Sequence, residues 1–123
     1  HRFELRAQGL TGSTHMGYDT GGVEWVDTRF RAAYGMLTRR FDRGSISTRV
    51  DLFSTRNHGS EVDAEDDEDG WALTLAAKRE LGSGLTAFIE YLHVESDRDA
   101  RAREALAPDQ AQNQVQMVMR ARW

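Results

Sequence analysis

A strict alternation of apolar and polar residues recurs six times along this chain of 123 residues, and it constrains the fold more than any other feature. Successive side chains of a β-strand point to opposite faces, so a period of two indicates strands with one apolar face. Helical spacing is nowhere sustained. The sequence therefore predicts an all-β fold, with strands at residues 2–9, 23–41, 45–55, 71–78, 85–95 and 113–123.

The connections between the predicted strands alternate in length. Long polar connections at residues 11–22, 56–69 and 96–112 alternate with short Gly-containing turns at residues 42–44 and 80–84. In an up-and-down antiparallel sheet, this order places every long connection at one end and every short turn at the other. Transmembrane β-barrels have this asymmetry, and their strands need about 9–11 residues to cross the bilayer.

Composition excludes several other classes of protein. Apolar residues make up 39% of the chain, and no run approaches the roughly 20 apolar residues of a membrane-spanning helix. Cysteine is absent, which rules out a disulfide framework and a thiolate metal site. The net charge of −4 argues against nucleic acid as a partner. The chain opens on His1 without a signal-like apolar stretch, so we expect a processed product or a piece of a longer protein.

Alternation does not by itself say which face of the sheet meets water. A soluble barrel or sandwich buries its apolar face and could bind an apolar ligand inside, in the manner of lipocalins and avidins. A membrane barrel instead turns its apolar face to lipid and lines its lumen with polar groups. A purely structural barrel, or an enzyme barrel whose active residues lie upstream, is a third alternative.

Three features favour the membrane interpretation. Aromatic residues lie near the strand ends, with Trp25 and Trp71 toward the long connections and Phe3, Phe41 and Trp123 toward the short turns. Barrels of this kind carry aromatic girdles at both membrane interfaces. The polar face is dominated by arginine, and the chain ends inside a strand, where soluble domains usually have a short frayed tail.

The last strand, NQVQMVMRARW, resembles the C-terminal signature of Gram-negative outer-membrane β-barrels. The matching positions are Val115, Met117, Met119, Ala121 and Trp123. The resemblance implies an up-and-down transmembrane barrel in the outer membrane of a Gram-negative bacterium. It also implies that the barrel-assembly machinery recognises this strand.

The number of strands bears on how much of a barrel is present. Single-chain outer-membrane barrels start at about eight strands, and six are predicted here. We therefore expect residues 1–123 to form a single unit, the C-terminal strands of a larger barrel. Its predicted function is that of a porin-like channel for small anionic or polar solutes. Outer-membrane lipid, lipopolysaccharide and further copies of the chain are the expected partners.

The candidate site is the polar face, which we predict to line the pore. A positive lining would concentrate anions, and the planar guanidinium of arginine suits phosphate and carboxylate groups. The alternative is a solvated outer face with surface ion pairs. The predicted pore-lining residues are Arg29, Arg31, Arg49, Asp51, Lys78, Glu90, Arg120 and Arg122, and the same face is expected to carry Arg2, Glu4, Arg6 and Arg39. The residues predicted to face lipid are Phe30, Tyr34, Val50, Leu73, Leu75, Met117 and Met119.

Residues 61–69 contain seven carboxylates in nine positions. An EF-hand alignment that starts at Glu65 fails, because Ala76 stands at the twelfth position, where a bidentate Glu is required. The run is therefore either a solvated loop or a looser extracellular cation site that bridges lipopolysaccharide phosphates.

Catalytic motifs are absent from the sequence. His15, His58 and His93 occur singly, without an HExxH, GxSxG or P-loop pattern. We therefore expect neither an enzyme nor a bound cofactor, catalytic residue or metal.

Overall fold

The computed structural model describes residues 2–18, 24–57, 67–98, 106–107 and 109–122. These residues form one antiparallel sheet in which each strand pairs with the next along the chain. The up-and-down all-β prediction is thereby confirmed. The strands are β1 (Arg2–Tyr18), β2 (Glu24–Phe41), β3 (Gly44–Asn57), β4 (Glu68–Gly82), β5 (Leu85–Arg98) and β6 (Asp109–Ala121).

Five of the six strands, all except β2, are longer than predicted at the end that carries the long connections. β1 runs to Tyr18 although residues 11–22 were expected to form a loop, and Ser13 still pairs with Arg29 on β2. Backbone pairing does not depend on side-chain polarity, so the ladder continues beyond the point where apolar alternation stops. The predicted boundaries were wrong there for that reason.

The two short turns lie at the opposite end of the sheet from the long connections. Asp42 and Arg43 form the β2–β3 turn, and the Glu80 amide donates a hydrogen bond of 2.8 Å to the Arg43 carbonyl. At the β4–β5 turn, a Cβ on Gly84 would collide with the carbonyl oxygen of Arg122, and Gly84 has a φ of 75°. Both requirements favour glycine at this position.

The long connections leave from one common end. Glu68 pairs with Thr55 on one side and with Arg98 on the other, so these three strand ends adjoin. The predicted placement of residues 56–69 and 96–112 opposite the short turns is confirmed for their described parts. The central residues, 58–66 and 99–105, lie outside the described residues.

The sheet is not closed. β1 and β6 are its two edges, and each has a hydrogen-bonded neighbour on one side only. The described residues contain no helix long and apolar enough to cross a membrane.

The register assigns each paired strand residue to one of two faces, since directly paired residues project to the same side. We call the side that carries Leu75 the apolar face and the side that carries Arg49 the polar face. One cross-strand row shows the character of the apolar face. It runs Leu5, Leu37, Thr48, Leu75, Tyr91 and Val115 from β1 to β6.

The described part of the chain has no hydrophobic core. None of its hydrophobic side chains is buried, and Thr38, which is 8% exposed, is its one buried residue. On the apolar face Leu5 is 76% exposed and Met117 is 69% exposed. A single sheet has no second layer to cover either face, so the apolar face is bare among the described residues.

Candidate functional site

The candidate site is the polar face, and the structure brings most of its predicted residues together. Arg49 pairs with Thr74, and through successive cross-strand neighbours the same face carries Lys78, Glu90 and Arg120. Asp51 lies two residues from Arg49 on β3 and shares its face. Arg122, just beyond β6, lines the same groove as Lys78 and Arg120.

Arg29 and Arg31 do not join this group. The register pairs Arg31 with Ser54 and Arg29 with Arg56, and these partners share a face with Val50. The prediction that all eight residues occupy one face is therefore wrong for Arg29 and Arg31, which lie on the apolar face. That the remaining six line a pore stays a prediction.

The same register shows that the prediction was wrong for two residues expected to face lipid, Phe30 and Tyr34. Tyr34 pairs with Asp51, and the two-residue turn at Asp42 and Arg43 sets this pairing by joining Phe41 to Gly44. Phe30 and Tyr34 therefore lie on the polar face. The other five predicted lipid-facing residues share the apolar face: Val50, Leu73, Leu75, Met117 and Met119.

Two aromatic rings on the polar face cover glycines of the neighbouring strand. Phe30 pairs with Gly12, and a Cβ built on that glycine would come within 2.5 Å of the ring. Phe53 pairs with Gly70 and leaves no room for a Cβ there. Cross-strand aromatic cover of glycine is a known stabilising arrangement in sheets, and it explains why Phe30 and Phe53 occupy this face.

At the β1–β2 edge of the polar face, two positive charges have a carboxylate partner. Glu4 accepts a hydrogen bond from Arg6 Nε at 2.6 Å and another from Arg40 Nη2 at 2.8 Å. The two guanidinium groups therefore share one neutralising charge.

The centre of the polar face is also charge-compensated. Arg49 donates to both carboxylate oxygens of Asp51, with Nε to Oδ2 at 2.8 Å and Nη2 to Oδ1 at 2.5 Å. The Arg49 guanidinium also stacks over the Tyr34 ring, 4.1 Å from its centre. Nearby, the Thr38 and Ser47 hydroxyls are 2.9 Å apart and hydrogen-bonded.

The turn end of the polar face differs from the centre. Arg43, Lys78, Arg120 and Arg122 line a groove of about 280 Å³, together with the carboxylate of Glu80. Lys78 Nζ and the Arg120 guanidinium each lie 5.8 Å from the centre of the Phe88 ring. We call these four cations with Glu80 and Phe88 the turn-end groove. Sequence reasoning missed Arg43, because a turn residue has no strand parity to follow.

The apolar face carries aromatic side chains toward both ends. At the turn end, the Arg39 guanidinium lies over the rings of Phe3 and Phe41, at 5.5 and 5.0 Å. Arg39 had been expected on the polar face, and its pairing with Phe3 and Ile46 corrects this. At the loop end, the rings of Trp71 and His93 are 5.1 Å apart.

Two further aromatic residues were predicted to belong to the girdles at the membrane interfaces. The Trp25 side chain and Trp123 lie outside the described residues. Of the predicted assembly signal, Val115, Met117 and Met119 are exposed on the apolar face, and Ala121 pairs with Leu85 on the same side.

Part of the acidic run is engaged by arginine. Arg56 Nη2 lies 2.8 Å from Asp69 Oδ2, and its Nε lies 3.4 Å from Asp67 Oδ2. Arg56, together with the Ser54 hydroxyl, holds the pKa of the Asp69 carboxyl below its ordinary value. Within the described ranges, no group of three acidic, His or Cys side chains could hold a metal ion. Residues 61–66 of the run lie outside those ranges.

No protein-family model matches the chain. Curated proteins and solved structures likewise give no match.

Proposed function

We propose that this chain forms part of a porin-like β-barrel of the Gram-negative outer membrane, which passes small polar or anionic solutes by diffusion. The observation that carries the proposal is the burial pattern of β3. Ser47, Arg49 and Asp51 on the polar face are half-buried, whereas Val50 and Leu52 on the apolar face are exposed. Side chains crowd one another on the concave side of a curved sheet, so the polar face is the side that closure would enclose.

This pattern argues against a soluble barrel that binds an apolar ligand. Such a barrel requires its apolar residues inside, where they would line the ligand cavity. Here Val50 and Leu52 are on the more exposed side, while the Arg49–Asp51 ion pair is on the sheltered side. A membrane barrel needs this arrangement, because lipid replaces the missing outer layer.

The height of the apolar surface agrees with a bilayer. On β6 the apolar face runs from Ala111 to Ala121, and none of its positions between them is charged. The ten residue-to-residue steps of this stretch rise about 33 Å along the strand at about 3.3 Å per residue. At the strand tilt of roughly 35–45° in such barrels, the height is about 25 Å, which equals their usual apolar band.

Charged residues border this band at the loop end. The next cross-strand row of the same face includes Arg31, Asp69, Asp97 and Asp109. Arg29 and Arg31 lie here beside Ser13 and Thr11 of β1. Guanidinium and hydroxyl groups at this level suit the phosphates of outer-membrane lipid or lipopolysaccharide, which we propose as the lipid partner.

The remaining partners follow from the edges of the sheet. β1 and β6 each offer an unpaired edge, which further strands of the same protein or of other copies could occupy. We propose that the barrel-assembly machinery acts on β6, whose apolar-face residues form the predicted assembly signal.

A matched pair of labels tests the membrane assignment. The chain has no cysteine, so Leu75→Cys and Thr74→Cys each create a single attachment site on neighbouring residues of opposite faces. After reconstitution into phospholipid vesicles, we expect a spin label at position 75 to meet oxygen dissolved in lipid. A label at position 74 should instead meet a water-soluble paramagnetic reagent. Equal access of the water-soluble reagent to both labels would overturn the proposal.

A further inference from the structure

In the turn-end groove, positively charged side chains outnumber carboxylates. Within the described residues, Arg6 and Arg40 are paired with Glu4, and Arg49 with Asp51. No described carboxylate forms an ion pair with any of the four cations of the groove, although Glu80 lines it. Four cations thus share a space of about 280 Å³ with one carboxylate.

Backbone contacts hold the groove in shape. The Arg122 amide donates a hydrogen bond of 3.0 Å to the Gly84 carbonyl, which ties the end of β6 to the β4–β5 turn. The Glu80 amide donates to the Arg43 carbonyl and ties the β2–β3 turn to the end of β4. The cations therefore come from three separate places in the chain and are brought together by the sheet.

Phe88 organises two of these cations. It pairs with Lys78 on β4 and with Val118 on β6, and both Lys78 and Arg120 lie over its ring. Attraction between each cation and the ring offsets part of the repulsion between the two like charges. The ring thereby keeps an ammonium and a guanidinium close together without a carboxylate between them.

We propose that the turn-end groove is a binding site for solutes that carry a phosphate group. A phosphate monoester has a charge between −1.5 and −2 at neutral pH and three strong acceptor oxygens, which suits several cations that converge from different strands. Arginine can bind two of those oxygens at once, and lysine adds a compact charge. The proposal deepens the channel function and rests on it for the route by which solute arrives, whereas binding itself requires only this sheet.

Binding of inorganic phosphate to the full chain, refolded in a phosphate-free detergent, tests the site. Calorimetric titration at constant ionic strength should detect phosphate binding to the unaltered chain. We expect Lys78→Gln and Arg120→Gln each to weaken it by about tenfold or more, as for loss of a hydrogen bond between charged groups. Arg79→Gln removes the same charge from the neighbouring residue on the apolar face and should leave the affinity unchanged.

Further variants keep the result interpretable. Arg120→Lys retains the charge and should lose less affinity than Arg120→Gln, and circular dichroism verifies that each variant keeps its β-structure. Equal affinity in the unaltered chain, Lys78→Gln and Arg120→Gln would overturn the proposal. Equal loss in Arg79→Gln would also overturn it, since binding would then follow net charge alone.

Two more measurements are needed. One distinguishes a soluble phosphate from a lipid headgroup, and the other distinguishes failure of the groove proposal from failure of the channel proposal. Glycerol phosphate should compete with inorganic phosphate, whereas vesicles of anionic phospholipid should not; competition by the vesicles would assign the site to a lipid headgroup and overturn the proposal for solutes. Absence of phosphate binding in a chain whose labels at positions 74 and 75 report insertion overturns the groove alone. Phosphate binding without insertion overturns the channel alone.

Discussion

The guanidinium of Arg49 lies 4.1 Å from the centre of the Tyr34 ring, so these two side chains share one face of the sheet. The alternation of β2 predicted Tyr34 on the lipid side, and the alternation of β3 predicted Arg49 in the lumen. Their contact shows that this face combines charged groups with aromatic ones. Tyr34 and Asp51 together hold the Arg49 side chain in place.

Loss of the Tyr34 ring should destabilise the sheet through Arg49. We expect Tyr34→Leu to lower the free energy of unfolding by about 0.5–2 kcal/mol, since a guanidinium stacked on an aromatic ring contributes about that much. Tyr34→Phe keeps the ring and should cost less. Urea titration of the chain in lipid vesicles measures both, and equal costs for the two variants would contradict a role for the ring.

Arginine on the apolar face should be costly. In lipid vesicles we expect Leu75→Arg to lower the free energy of unfolding by about 2–4 kcal/mol if position 75 lies near the bilayer midplane. Thr74→Arg, one residue away on the polar face, should cost much less because that side chain stays in water. A similar cost for the two variants would contradict the assignment of the faces.

Two glycines should respond oppositely to alanine. A Cβ on Gly44 would collide with the backbone carbonyl of Lys78, so Gly44→Ala should cost about 1–3 kcal/mol as the strands move apart. A Cβ on Gly35 meets nothing within 4 Å. Gly35→Ala should therefore stabilise the sheet by about 0.4–1 kcal/mol, because alanine lowers the conformational entropy of the unfolded chain. Denaturant midpoints measure both, and a neutral Gly44→Ala would show that the β3–β4 pairing is looser than described.

Removal of the Asp51 carboxylate should increase anion selectivity if the polar face lines a channel. Asp51→Asn leaves the Arg49 charge uncompensated, so the permeability ratio of anion to cation should rise, and the rise should shrink as salt screens the charge. Reversal potentials across a planar bilayer measure this ratio. Glu95→Gln removes a carboxylate from the apolar face and should have no effect.

The last residue should matter for assembly more than for packing. The resemblance of the final strand implies that Trp123 is read during insertion, and its indole suits the membrane interface. Trp123→Asp should therefore reduce the yield of the full-length protein in the outer membrane far more than Trp123→Phe. Heat-modifiable migration on a gel scores the folded fraction, and equal yields would remove the assembly role.

Local chemistry was enough to predict the number of strands, their order and both short turns. A period of two is a property of neighbouring residues. Glycine and aspartate indicate the turns at residues 42–44 and 80–84. The same information indicated an apolar face on β6, where Val115, Met117 and Met119 now lie together.

Local alternation could not decide which side chains of β2 lie on the apolar face. Phe30 and Tyr34 have one parity, whereas Leu37 and Phe41 have the other, so the strand contains two conflicting apolar patterns. Only the hydrogen-bonded register with β3 decides which pattern joins the apolar face, because a shift of one residue would exchange all the side chains between faces.

By itself, the sequence determined an up-and-down sheet with long connections at one end, since strand periodicity and turn chemistry act over a few residues. Only the tertiary structure decided that Arg29 and Arg31 leave the polar face and that Arg43 joins Lys78, Arg120 and Arg122 in one groove. These residues are far apart along the chain. Their proximity depends on the pairing of whole strands, which no local pattern contains.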